Sequence, residues 1–153
     1  MEVEVKNTEP LRVVAMRHTG PYPLIGDVFG RLAKWGGENS VPIQGALAIF
    51  YMDPNVHAPE ELQSDACLIV PAGYSIESPN ITMLDMPAQK CAVAKYVGPY
   101  TGLPTAWGEF MGEWFPKSGL QADPAGLSYE QYMNDMRTTP PDKLETWLFQ
   151  SVL

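Results

Sequence analysis

An acidic residue stands in the middle of a segment whose pattern otherwise predicts a β-strand. The segment runs from Leu127 to Met133, and Glu130 is its charged residue. Acidic side chains are disfavoured in strands. Period-two geometry puts Glu130 on the face that it shares with Ser128, Tyr132 and Asn134. Two interpretations follow: a carboxyl group that faces a binding cleft, or a glutamate on the solvent face of a half-exposed strand.

Two histidines are weaker candidates for chemistry. His18 lies beside Gly20-Pro21-Tyr22, where an imidazole could act as a general base near neutral pH. An internal repeat aligns His18 with Tyr96, which cannot do that work, so a packing or solvent-facing role fits better. His57 and Glu60 are interpreted as parts of a turn and a short helix and not as a metal pair.

The sequence contains no Gly-rich phosphate loop, no cysteine pair at metal-ligand spacing and no His-Glu-x-x-His pattern. We therefore expect neither a metal nor a cofactor. The cysteines, Cys67 and Cys91, each lie in a short apolar run typical of a buried strand, which predicts two inert reduced thiols in a cytoplasmic protein.

The chain contains the same pattern twice. Residues 13–22 align without gaps on residues 91–100, and both copies read as an apolar strand, a basic residue and then Gly-Pro-Tyr. Each copy is followed by apolar residues at spacings of three and four, which predict a helix with one apolar face. The turns are mainly structural, although their tyrosines, Tyr22 and Tyr100, are candidates to face a cleft.

Two strand-like segments follow each helix, at 46–52 and 66–70 in the first half and at 127–133 and 144–153 in the second. The alignment matches Ile49 with Glu130 and Tyr51 with Tyr132, so both halves offer an aromatic but one offers a carboxylate. The repeat predicts a single domain, 1–153, made of two strand-helix-strand-strand modules at about 1–80 and 81–153. The fold class is α+β: an antiparallel sheet with helices packed on one face, a pseudo-twofold axis and a central groove.

The amino-acid composition limits the classes of partner that the protein can bind. The formal net charge is −8, with 10 Lys plus Arg against 18 Asp plus Glu. This charge repels a phosphate backbone, so we expect no direct nucleic-acid binding. The N-terminus lacks the apolar core of a signal peptide, and no apolar run approaches the ~20 residues of a membrane span. We expect a cytoplasmic protein that does not enter the membrane.

An ordered set of motifs resembles the GyrI-like family. The set comprises the Gly-Pro-Tyr repeats, the segments Tyr51-Met52-Asp53-Pro54 and Pro59-Glu60-Glu61-Leu62, and the run from Glu130 to Asp135. That family includes the bacterial gyrase-inhibitory protein and the effector-binding domains of the Rob and BmrR regulators. The resemblance spans nearly the whole chain and implies a groove for bulky, often cationic or aromatic compounds, with a glutamate pointing into it. The matching position is Glu130.

The resemblance implies three functions. The first is binding or scavenging of aromatic or cationic compounds, with Glu130 as counter-ion. The groove aromatics are expected to be Tyr51, Trp107, Tyr132, Trp147, Tyr22 and Tyr100. The second is a hydrolase that opens reactive cyclopropane-bearing natural products, with Glu130 as catalytic acid or base. The third is inhibition of DNA gyrase through a protein–protein interaction of the acidic surface.

Overall fold

The computed structural model describes the whole chain, Met1–Leu153, and has an α+β fold, which confirms the predicted fold class. Its strands are β1 (Glu2–Asn7), β2 (Leu11–Thr19), β3 (Gly45–Phe50), β4 (Gln63–Val70), β5 (Thr82–Met86), β6 (Lys90–Val97), β7 (Ser128–Tyr132) and β8 (Glu145–Ser151). Its helices are α1 (Gly26–Glu38), α2 (Leu103–Glu109) and α3 (Phe115–Ser118), with one-turn 3-10 helices at Tyr22–Leu24, Pro59–Glu61, Tyr100–Gly102 and Pro141–Lys143. None of the helices has both the length and the apolar character that crossing a bilayer requires.

The chain divides into two compact units, which we name after a buried acidic residue in each. The Asp65 unit is Glu9–Ala88, and the Glu130 unit combines Met1–Thr8 with Gln89–Leu153. These bounds differ from the predicted halves because strand β1, at the N-terminus, belongs to the Glu130 unit. In each unit four antiparallel strands form a sheet, and helices cover one face of it.

The Asp65 unit has the strand order β3-β4-β2-β5, and every neighbouring pair is antiparallel. Helix α1 buries Val28, Leu32 and Gly36. A Cβ atom added to Gly36 would lie 3.1 Å from Leu68 Cδ1, so a glycine allows the helix to approach β4 closely. Leu68 thereby marks the helix-covered face of this sheet.

The Glu130 unit has the strand order β1-β6-β8-β7, again antiparallel throughout. Its helical segment, residues 103–118, packs on one face of the sheet and forms an apolar core with it. The buried members of that core are Ala92, Ala94, Leu103, Ala106, Phe110, Leu148 and Val152. A strand residue that belongs to this cluster therefore points to the helix-covered face of the sheet.

The helical segment of the Glu130 unit contains a π-helical turn, Phe110–Trp114, between α2 and α3. The Phe115 N–H bonds the Phe110 carbonyl, five residues back, where an α-helix would use the carbonyl four residues back. Pro116 follows directly and has no N–H to donate. The segment stays helical through this proline, which lies in the first turn of α3, and Gly119 ends it in the left-handed conformation (φ 76°).

The two edge strands, β1 and β5, add one strand to each predicted three-strand module. β1 pairs with β6 and β5 pairs with β2, so each covers the outer side of the first strand of a repeat. The signal for β1 is the alternation of charged residues and valine from Glu2 to Lys6. No residue of β1 is fully buried, and Met86 is the buried residue of β5.

Candidate functional site

Glu130 lies in the middle of β7 and is buried, with 6% of its surface exposed. Its Oε2 atom is buried and has no hydrogen-bond partner in the chain. Burial raises the pKa of this carboxyl group from 4.5 to about 8, because the surroundings disfavour the charged form. The interpretation as a solvent-exposed strand glutamate is therefore wrong.

The surroundings of Glu130 are apolar because of its place in the sheet. Across the strands of this unit Glu130 is paired with Leu148, Leu148 with Ala94, and Ala94 with Val3. Residues paired in this way point to the same face. Leu148, Ala94 and Val3 all belong to the core under the helical segment. Glu130 thus ends a row of apolar side chains on the helix-covered face.

Three of the predicted aromatic residues pack against the apolar core on that face of the Glu130 unit. Tyr132 follows Glu130 by two residues, and its ring centroid lies 5.3 Å from that of Tyr100. Burial raises the pKa of Tyr100, and the negative charge of Glu130 raises it further, so the phenol and the carboxyl group are electrostatic neighbours. Trp107 packs in the same cluster as both tyrosines. The structure brings Tyr100 and Tyr132 together near Glu130 and places Trp107 in the same apolar cluster as the two tyrosines.

Thr146 is a polar residue of this face that sequence reasoning missed. It is fully buried (0% exposed), and its Oγ1 atom has no hydrogen-bond partner. It is paired with Tyr132 across β7 and β8, and it lies diagonally from Glu130, since Glu130 is paired with Leu148. A threonine in a strand is common, so the sequence carries no signal for it.

Trp147 lies on the other face of β8 because successive strand residues point to opposite faces. Lys6 Nζ and Lys95 Nζ each lie 4.7 Å from its ring centroid, and its indole N–H donates to Glu145 Oε1 at 2.7 Å. The sheet therefore separates Trp147 from Glu130, which corrects the expectation that both line one groove.

Backbone hydrogen bonds fix how the two units correspond. The Gly20 and Gly98 N–H groups donate at 2.8 Å to the Leu62 and Leu144 carbonyls. The Tyr51 N–H donates to the Gln63 carbonyl at 3.2 Å. The equivalent bond in the other unit runs from Met133 to Glu145 at 2.9 Å. Tyr51 therefore corresponds to Met133 and not to Tyr132.

This correspondence corrects the predicted alignment of β3 with β7 by one residue. Ala48 corresponds to Glu130 and Phe50 to Tyr132. The ring pairs agree: Tyr22 and Phe50 lie 4.7 Å apart between centroids, like Tyr100 and Tyr132 at 5.3 Å. A one-residue shift moves every side chain of a strand to its other face.

Tyr51 therefore lies on the face of its sheet opposite α1, in a polar network that the sequence did not reveal. Its hydroxyl donates to Asp65 Oδ2 at 2.6 Å, and Arg17 Nε donates to Asp65 Oδ1 at 2.8 Å. The Arg17 guanidinium also lies 5.1 Å from the Tyr51 ring centroid. Burial and the Asp65 hydrogen bond raise the pKa of Tyr51. Asp65 is thus a buried carboxylate that is fully paired.

The two Gly-Pro-Tyr turns are held by their own side chains. His18 Nε2 lies 3.0 Å from the Pro21 carbonyl oxygen, and the Tyr96 hydroxyl donates to the Pro99 carbonyl at 2.7 Å. These bonds are equivalent in the repeat, so His18 has a structural part, in agreement with its alignment on Tyr96. Tyr22 is likewise tied to backbone, because its hydroxyl donates to the Met52 carbonyl at 2.6 Å.

Two surface cavities lie away from Glu130. One of about 320 Å³ in the Glu130 unit is lined by Val5, Trp114, Lys117, Ser118 and Leu120. The other, of about 540 Å³ in the Asp65 unit, is lined by Met16, Arg17, Arg31, Asp65, Asn80, Ile81 and Thr82. Glu130 lines neither. No group of three or more His, Cys, Asp or Glu residues is arranged to hold a metal ion, and Cys67 and Cys91 are buried free thiols.

The sequence matches the GyrI-like small molecule binding domain over residues 1–150. A protein of Serratia proteamaculans named DNA gyrase inhibitor is 31% identical over 139 residues, which is 88% of each chain. One from Yersinia enterocolitica with the same name is 28% identical over 141 residues, covering 90% of this chain and 89% of its own.

Solved structures share the fold at low sequence identity. The EcmrR C-terminal domain has a TM-score of 0.84 at 13% identity, covering 99% of this chain and 97% of its own. SAV2435 bound to tetraphenylphosphonium has a TM-score of 0.71 at 14% identity, covering 100% and 94%. A hydrolase from Listeria innocua has a TM-score of 0.61 at 13% identity, covering 99% and 92%.

Proposed function

The chain belongs to the GyrI-like small molecule binding family, and we propose that it takes up bulky aromatic or cationic organic molecules at Glu130. The observation that carries the proposal is the buried Glu130 carboxyl group, whose Oε2 atom has no partner. A buried polar group without a partner is costly to the folded protein. A bound cation would supply the missing partner.

Uptake of a cation is coupled to the loss of a proton. The pKa of about 8 keeps Glu130 mostly neutral at pH 7. A positive charge beside it lowers that pKa and favours the carboxylate. Cation binding near pH 7 therefore releases a proton, and affinity rises with pH until the free carboxyl group is ionised. A neutral aromatic ligand would not have this dependence.

The aromatic residues of the Glu130 unit form the walls of the proposed site. Tyr100, Tyr132 and Trp107 are each half-buried and belong to one apolar cluster. Aromatic faces attract cations by about 0.5 to 2 kcal/mol each, the larger values applying where water is excluded. They also stack on flat organic ligands. Because Glu130 is 6% exposed, access of a ligand would require neighbouring rings such as Tyr100 and Tyr132 to rotate aside.

The test uses tetraphenylphosphonium, the compound bound in the similar SAV2435 structure. Its affinity is measured calorimetrically for the wild type, for Glu130→Gln and for Glu113→Gln. Glu113 is an exposed glutamate of the same unit and serves as the matched control. We expect Glu130→Gln to weaken binding by about tenfold or more, because the counter-ion is lost, and Glu113→Gln to bind like the wild type. Equal affinities in all three proteins, or no binding by the wild type, would overturn the proposal.

A second candidate function is hydrolysis, which the fold shared with a Listeria innocua hydrolase favours. Glu130 would take a proton from a water molecule as the water oxygen bonds to a carbon of the strained ring and a C–C bond of that ring breaks, and a tyrosine hydroxyl would donate to the conjugated oxygen that receives the electron pair. Turnover separates this function from binding. A spirocyclopropane compound should decay faster with the wild type than with Glu130→Gln. Equal decay rates with the two proteins would rule out hydrolysis by Glu130.

A third candidate is inhibition of DNA gyrase, which the names of the bacterial relatives favour. The net charge of −8 would let the protein engage a positively charged surface of the enzyme. In a supercoiling assay we expect inhibition that weakens as salt rises, since salt screens exposed charges. Full supercoiling at a large excess of this protein would dispose of this candidate.

A further inference from the structure

Two buried polar side chains without partners occupy diagonal positions of adjacent strands on the helix-covered face of the Glu130 unit. Glu130 Oε2 and Thr146 Oγ1 are both buried and both lack a hydrogen bond. They belong to the adjacent strands β7 and β8, and Thr146 is paired with the residue two beyond Glu130. Residues on such a diagonal have Cα atoms about 7–8 Å apart, with their side chains closer.

An unsatisfied buried hydroxyl or carboxyl group reduces stability, so each such group calls for an explanation. Two of them on one diagonal of the sheet can be satisfied together by one ligand that bonds both. A carboxylate accepts hydrogen bonds, and a threonine hydroxyl can accept one as well. The complementary ligand group is therefore a cation with more than one N–H donor, such as an amidinium, a guanidinium or a primary ammonium ion.

We propose that Thr146 and Glu130 together form a two-acceptor site, which selects organic cations that carry at least two N–H donors over quaternary cations of similar shape. The inference rests on the proposed binding function and specifies its ligand class. Charge-assisted hydrogen bonds are about twice as strong as neutral ones. A quaternary cation brings its charge and its apolar surface, but it leaves both oxygens without a hydrogen bond.

The Asp65 unit supplies an internal control. Ser64 corresponds to Thr146 because it is paired with Phe50, the counterpart of Tyr132. Its hydroxyl is also buried and without a partner. The diagonal neighbour of Ser64 is Ala48, which has no carboxyl group. Ser64→Ala therefore removes an equivalent hydroxyl that lacks an acidic neighbour.

The test compares benzamidinium with phenyltrimethylammonium, two single-ring cations of one positive charge, and includes tetraphenylphosphonium. Binding is measured at about pH 9, where most of Glu130 is ionised, in the wild type, Thr146→Val, Thr146→Ser and Ser64→Ala. We expect the wild type to prefer benzamidinium about tenfold, from the added charge-assisted bonds. Thr146→Val should lose most of that preference because its binding of benzamidinium weakens, whereas Thr146→Ser and Ser64→Ala should keep it.

Thermal stability shows whether the variants fold. Valine has the shape of threonine without the unsatisfied hydroxyl, so Thr146→Val should be at least as stable as the wild type. If the wild type binds tetraphenylphosphonium but does not prefer benzamidinium, or if Thr146→Val keeps the preference, the inference is overturned and the proposed function stands. If no cation binds, the proposed function fails.

Discussion

Glu130 and Ala48 occupy corresponding positions in the two units. Each lies on the helix-covered face of its strand, Glu130 paired with Leu148 in β8 and Ala48 paired with Ala66 in β4. Ala48 is fully buried and apolar, as such a position usually is. The carboxyl group of Glu130 is thus a departure from the pattern that the two units share.

Glu130 should make the stability of the protein fall as pH rises. Its pKa is about 8 in the folded state against 4.5 for an exposed carboxyl group. Below pH 4.5 the carboxyl is neutral in both states and costs nothing extra. Between these values the unfolded chain releases its proton while the folded chain keeps it, so stability is lost up to about pH 8. Each pKa unit corresponds to about 1.4 kcal/mol, so the loss is on the order of a few kcal/mol.

This linkage is checked by urea unfolding of the wild type and Glu130→Gln at about pH 5, 7 and 9. The variant carries an amide that does not titrate, so its stability should change less with pH and should exceed that of the wild type at the highest pH. Parallel pH profiles would mean that Glu130 titrates normally.

Aromatic residues on the two faces of the Glu130 sheet should differ in their effect on cation binding. Tyr100→Leu removes a ring beside Tyr132 and Glu130, and should weaken tetraphenylphosphonium binding about three- to tenfold. Trp147→Leu removes a larger ring from the opposite face and should leave the affinity unchanged. Calorimetric titration of both variants checks this. A loss with Trp147→Leu that matches the loss with Tyr100→Leu would contradict the assignment of faces.

The Asp65 network should contribute to stability. Tyr51→Phe removes the donor to Asp65 Oδ2 but leaves the ring beneath Arg17. A buried carboxylate oxygen then loses a hydrogen bond, which should reduce the free energy of unfolding by about 1–3 kcal/mol. The control is Tyr74→Phe, because the hydrogen bonds of Tyr74 use its backbone atoms. Equal unfolding midpoints for the two variants would refute a stabilising network.

The second Gly-Pro-Tyr turn should depend on Gly102. A Cβ atom there would clash with the Tyr96 hydroxyl, which donates to the Pro99 carbonyl. Gly102→Ala should therefore cost about 1–3 kcal/mol, and Tyr96→Phe should recover part of that cost in the double variant because it removes the clashing oxygen. A double-mutant cycle of unfolding free energies measures the coupling. Strict additivity would show that Tyr96 and Gly102 do not interact.

The strand pattern singled out Glu130, because an acidic residue interrupts a run of uncharged neighbours, but it did not decide which face the side chain occupies. The resemblance to the GyrI-like family indicated the inward-facing position. The repeat likewise predicted the helices and the strands β2, β3, β4, β6, β7 and β8. The register of β3 could not be fixed, since Phe50 and Tyr51 are adjacent and either one gives an aromatic match to Tyr132. Register depends on which face is buried, and the helix above the sheet decides that.

Thr146 and Asp65 could not be predicted for a different reason. Threonine is an ordinary strand residue, and its lack of a partner becomes visible when the neighbouring strand and the helix are in place. Asp65 draws its partners from 14 and 48 residues away in the chain. The sequence shows that Asp65, Tyr51 and Arg17 are present, but it does not show that they form hydrogen bonds with one another.

The most direct test of the account is the number of protons released when tetraphenylphosphonium binds. Calorimetry at about pH 7 in buffers of different ionisation enthalpy gives that number. With a pKa of about 8, Glu130 is mostly protonated there, so close to one proton should leave per bound cation in the wild type and none in Glu130→Gln. Binding without proton release by the wild type would contradict the claim that the cation is held by this buried carboxyl group.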